Sequence, residues 1–165
     1  MNYIQALIEE IKMESVVTAK MLERVPEDKY DWKPHQKSMS LIALATHLAD
    51  ICSWPELMID SPELDFAKMD FNPTPIANAS ELMQKFNTSL ATGLKALEKA
   101  NDKIMADTWT MRHGERIIET ISKWEAIRHS VSQTIHHRAQ LGVYLRLLDI
   151  PIPGTYGPSA DDTSF

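Results

Sequence analysis

Histidine is the residue with the most chemistry to offer in this 165-residue chain, which carries six: His35, His47, His113, His129, His136 and His137. Three of them fall close together near the C-terminal end, with Gln133 among them. On a helix, residues four apart are neighbours, so His129, Gln133 and His137 form one stripe. Imidazole nitrogen suits first-row transition metals, whereas an amide oxygen is a neutral and weaker donor. The stripe lies opposite Trp124, Ile127, Val131 and Ile135. That arrangement has two readings: a binding face, or simply the wet side of an amphipathic helix. Beyond Gln140 the apolar arc widens, with Tyr144 and Leu148 on the histidine side and Leu141 and Leu145 on the other. A helix apolar over a wide arc is more buried, which moves the stripe toward an interior groove.

His47 is the second candidate. It flanks Leu44, Leu48 and Ile51 on another helical segment, and Trp54 follows on the same side. Taken alone, it reads as a hydrogen-bonded histidine at the core boundary. Two helices offering imidazoles to one groove would suit a transition metal. Periodicity does not by itself bring them together.

Four long segments of helical period must position these residues. The first runs from about Tyr3 to Arg24, with Ile4, Leu7, Ile8 and Ile11 on one face and Pro26 as its stop. A polar connector, PEDKYDWKPHQKS, follows, with room for one helical turn. The second begins near Ser38 or Ser40, either a fitting cap, and carries Leu41, Leu44, Leu48 and Ile51. Pro55 kinks or ends it, with WPELMID able to add a further turn. A long connection marked by Pro62, Pro73 and Pro75 leads to the third, where Asn78 and Glu81 have capping-box spacing. Leu82, Phe86, Leu90, Leu94 and Leu97 make its stripe, ending near Ala100. Residues 108–120 alternate weakly around His113-Gly114, as a short β-hairpin would. The fourth helix starts at Ser122, with Glu125 at capping-box spacing, and runs to about Asp149 before Pro151 and Pro153. The tail from about residue 150 reads as irregular. Long connections rather than short hairpins predict a bundle that is not simple up-down-up-down.

Length and composition suit one domain spanning residues 1–165. The formal net charge of −6 lacks the basic footprint that phosphate neutralisation needs, which argues against nucleic acid. The apolar runs are shorter than a transmembrane helix, and no basic amphipathic arm points to a membrane surface. The N-terminus lacks the charged-then-apolar pattern of a signal peptide, so a cytoplasmic location is expected. Cys52 is the single cysteine. It reads as a small buried apolar side chain.

The stretch HSVSQTIHHRAQLGVYLRLLDIPIPGTYGPSAD resembles the last helix and tail of DinB-like proteins. DWKPHQKSMSLIALATHLAD resembles their second-helix region, and the two lie in the family's order and at a similar distance. The resemblance to the DinB/YfiT-like superfamily implies an all-α fold, a four-helix bundle with long interhelical connections. It also implies a divalent metal, zinc or nickel, held by one histidine of the second helix and two of the last. Those positions match His47, His137 and Gln133, the last standing where the family has histidine. Three arrangements follow for that departure: Gln133 ligates through oxygen, water or His129 takes its place, or the site is a relic without metal.

The resemblance further implies a metal-dependent enzyme, a thiol transferase or a hydrolase, using a low-molecular-weight thiol as small-molecule substrate. Tyr30, Trp32, His35 and Trp54 are candidates for the pocket wall, and His129 is the nearest candidate for a general base. The alternative is a non-catalytic bundle that binds metal or ligand in a stress response. A homodimer through exposed helix faces is expected in either case.

Overall fold

A computed structural model describes residues 2–69 and 75–163. The connection predicted after the second helix falls partly on residues 70–74, so Pro73 lies outside the described residues. Among those described are five α-helices and a three-stranded sheet. Helix α1 spans Tyr3–Leu22, α2 Leu41–Ile51, α3 Trp54–Asp60, α4 Ala79–Lys99 and α5 Lys123–Leu147. Strands β1 (Glu63–Asp65), β2 (Thr108–His113) and β3 (Arg116–Ser122) complete the fold.

The caps follow the chain's local chemistry. Ser40, rather than Ser38, caps α2, its hydroxyl accepting from Ala43 N. Ser122 and Glu125 close a full capping box on α5. At α4 the Asn78 side chain accepts from Glu81 N, but the Glu81 carboxylate reaches past the cap to Ala77 N. The start of α1 draws a partner from far away. Asp102, just past α4, accepts from both Tyr3 N and Ile4 N, two donors that a helix start leaves unpaired.

One sequence expectation sharpens and one changes. The second helix is interrupted near Pro55, as expected, and WPELMID forms a helix of its own. Helix α2 ends at Ile51, and α3 starts at Trp54 with Pro55 in its first turn, where a missing N–H costs nothing. The bundle therefore has its second corner built from two helices. The change is in the sheet. The hairpin forms as expected, with Gly114 at φ 59° in its turn. A third strand, β1, adds to β2 in parallel, pairing Glu63 with Thr110. Three residues are too short to show alternation, and β1 forms because β2 offers it an open edge. Asp65 fastens this edge by accepting from Gly114 N at 2.8 Å, and that bond holds its carboxyl below the ordinary range.

Helices α1 and α2 each pack against α4 and α5. The first and second helices, joined by a long connection, thus share the same two neighbours, unlike a bundle of short successive hairpins. The core has two lobes. One joins Leu22, Leu41, Leu44, Leu48, Phe86 and Leu141; the other joins Leu7, Ile8, Leu97, Trp109, Ile127 and Val131. Gly93 lets α4 approach the turn after α2. A Cβ there would sit 2.0 Å from the Cys52 carbonyl oxygen. No helix among the described residues is long and apolar enough to cross a membrane.

Candidate metal centre and cleft

Helix α2 presents His47 beside its buried stripe of Leu44, Leu48 and Ile51. Helix α5 buries Ile127, Val131, Leu141 and Leu145 and leaves Gln133 and His137 half-buried. The contact between α2 and α5 brings the two candidates together. The rings of His47 and His137 meet edge to face, with centroids 4.6 Å apart. Trp54 also packs against His47, with ring centroids 5.6 Å apart. His136 also touches His137, at 4.9 Å.

Both imidazoles are biased toward the neutral, ligand-competent form. Burial pushes the His47 pKa below its ordinary value, and the adjacent His137 pushes it further down. Asp50 acts against this shift. Burial also lowers the pKa of His137, opposed by its hydrogen bond to Gln140. That bond has a second consequence. With Nδ1–H donating to Gln140 Oε1 over 2.9 Å, Nε2 of His137 carries the free lone pair.

Gln133 lines the same cleft as His47. Its Nε2 lies 3.1 Å from Nε2 of His129. An amide nitrogen has only protons to offer, so it donates to His129 there. Oε1 then carries no hydrogen bond among the described residues. Among those residues, no group of three His, Cys, Asp or Glu side chains is placed to hold a metal. Two imidazoles need a third donor of another kind, and the amide oxygen of Gln133 is the one the stripe supplies. Two neutral nitrogens and one neutral oxygen are donor types that a divalent transition metal accepts, more weakly than three imidazoles.

The cleft has a volume of about 1060 Å³. It lies between α2, α3, the connections around them, the sheet and the start of α5, with Lys85 reaching in from α4. Of the four residues expected in its wall, Tyr30 and Trp54 line it. Trp32 instead packs edge-on to Tyr144, and His35 is exposed, its Nδ1 accepting from Lys37 N. Both lie in the connector before α2, whose path no periodicity dictates. His129 lines the cleft beside Gln133.

The sequence matches the DinB family over residues 1–164. The chain belongs to the DinB family. A DinB-like protein of Bacillus cereus superimposes with a TM-score of 0.71 at 16% identity, covering 94% of this chain and all (100%) of that one. A DinB-like protein of Bacillus subtilis superimposes with a TM-score of 0.68 at 18% identity, covering 89% and 96% of the two chains. No curated protein matches the sequence. At these identities the structural likeness speaks for the DinB fold. Within that fold, two polar features of the site escaped the sequence reading. Gln140, one turn past His137 on the same face, was discernible as a partner from spacing. The Lys85–Asp50 ion pair, at 2.7 Å in the cleft, joins α4 to α2 and had no signal in either helix alone.

Proposed function

We propose that this chain is a metal-dependent enzyme of small molecules, with His47, His137 and Gln133 holding a divalent transition metal, zinc or nickel, at the edge of the cleft. The observation that carries this reading is the meeting of the His47 and His137 rings at 4.6 Å, from two different helices. When bound, the metal supplies a Lewis-acidic position that favours the deprotonated form of a thiol or a water. The chain's own residues do the rest. Gln140 holds the tautomer of His137, Trp54 holds the ring of His47, and His129 turns the Gln133 amide so that its oxygen is free. A low-molecular-weight thiol is the proposed small substrate, with transfer to an electrophile as the reaction.

A second reading is a bundle that binds without turnover. It is favoured by the third donor, which is an uncharged amide oxygen where the other two are imidazole nitrogens. Metal analysis of the purified chain separates the first step from the second. We expect sub-stoichiometric zinc or nickel, lost in both His47→Ala and His137→Ala. Unchanged metal content in those variants would overturn the site. Metal bound with no turnover across thiols and electrophiles would favour the binding reading.

A further inference from the structure

We propose that the cleft takes an amphiphilic organic cation, a molecule with a bulky apolar body and a positively charged nitrogen group. This deepens the reading above because it concerns the same cleft, but it does not depend on a metal.

Size comes first. A small thiol and a metal leave most of a 1060 Å³ cleft unfilled. Pockets for drug-sized ligands measure roughly 300–1,000 Å³, so a larger second molecule has room. The walls then select its body. Trp54, Phe66, Trp109, Met58, Met69 and Met111 line the cleft. Thioethers and aromatic faces are polarisable, and the thioethers adapt to irregular shapes. Aromatic faces also attract cations.

Charge selects the head. Four lining side chains carry formal charge: Asp31, Asp50, Glu119 and Lys85. Lys85, the one cation among them, is held by Asp50 at 2.7 Å. Asp31 and Glu119 are exposed, and no cation pairs with either among the described residues. The cleft therefore offers two uncompensated carboxylates and no free cation among its described lining. An anionic ligand meets repulsion from both. A neutral apolar ligand gains the walls but nothing from the rim. A ligand with an apolar body and a cationic nitrogen group gains from both, and the chain's net charge of −6 adds to the field that draws it in.

The test compares three dyes on the full chain by fluorescence titration: the cation rhodamine 6G, neutral N-phenyl-1-naphthylamine and the anion 1-anilinonaphthalene-8-sulfonate. We expect rhodamine 6G to bind about tenfold tighter than the anion, and to weaken as salt rises from about 50 to about 300 mM. The double variant Asp31→Asn with Glu119→Gln should weaken rhodamine 6G by about tenfold and leave the neutral dye unchanged. Trp54→Ala should weaken both rhodamine 6G and the neutral dye. Equal or tighter binding of the anion overturns the proposal, as does a cation affinity that ignores both salt and the double variant. The same titrations on chelator-stripped protein keep the two readings apart. Cation binding that survives stripping supports this inference whatever the metal analysis finds, and a cation affinity that vanishes with the metal overturns it.

Discussion

Arg138 Nη1 lies 2.6 Å from the Glu14 carboxylate, joining α5 to α1 one residue beyond His137. The two side chains are only 3% and 9% exposed. The guanidinium also donates to the Glu14 carbonyl and to Thr18 Oγ1, each at 3.2 Å. Tyr156 in the tail completes the cluster. Its hydroxyl donates to Glu14 Oε1 at 2.6 Å, and its ring lies 5.3 Å from the guanidinium carbon. A buried charge that loses its partner is left without water, at a cost of roughly 3–5 kcal/mol. Arg138→Leu should therefore lower unfolding stability by that order in urea titrations. The double variant Glu14→Leu with Arg138→Leu should recover part of the loss, because no charge is then stranded. Tyr156→Phe removes one hydrogen bond and should cost about 1–2 kcal/mol. A single-variant loss no larger than that of Tyr156→Phe would show that the pair is solvated in solution.

Gln133→His restores a third imidazole on the stripe. It should raise zinc affinity about tenfold or more in a chelator competition. His129→Ala releases the Gln133 amide and should lower the affinity of the parent chain while sparing that of the Gln133→His variant. Equal effects on both would mean that His129 does not act through Gln133.

The shifts of His47 and His137 set a pH dependence. Both folded pKa values lie below the ordinary 6.5. As pH falls below about 6.5, the unfolded chain takes up these protons before the folded chain does. Their contribution to stability is thus fully present above that value and is lost as pH falls through the folded pKa values. The urea midpoint of the metal-free chain should drop across this window, and His47→Asn should flatten the slope. An unchanged slope in that variant would remove His47 from the account. Metal affinity should fall in the same direction, since protons compete for the same nitrogens.

Cys52 should be inert. Burial pushes its thiol up to about 12, with Asp50 adding to the shift. Thiolate is the reactive form, so iodoacetamide at about pH 8 should label the unfolded chain and spare the folded one. Rapid labelling without denaturant would mean that this end of α2 opens readily.

Gly93→Ala places a methyl group against backbone that cannot swing aside, 2.0 Å from the Cys52 carbonyl oxygen. Helix propensity favours alanine by about 1 kcal/mol, but overpacking of this kind typically costs about 1–3 kcal/mol and more where backbone must move. The variant should be destabilised. A gain in thermal midpoint would show that α4 can shift away from α2 at no cost.

The sequence by itself determined the helices that carry the site. Apolar periodicity, the caps at Asn78 and Ser122, the serine pair Ser38 and Ser40 before α2, and the prolines after α1 and α5 act over a few residues, so they are visible locally. The hairpin expected at 108–120 was legible for the same reason, through alternation and Gly114. It also determined that His129, Gln133 and His137 share a face, because that follows from helical geometry alone. Tertiary structure decided what that face meets. The approach of His47 to His137, the Lys85–Asp50 pair, the clamp of Glu14 on Arg138 and the parallel strand β1 all join residues far apart in the chain. They depend on how α1, α2, α4 and α5 pack and on which edge β2 leaves open, and no local pattern encodes those distances. Even the wall of the cleft changed with packing: Trp32 and His35, expected in it, turn elsewhere once the connector has its path.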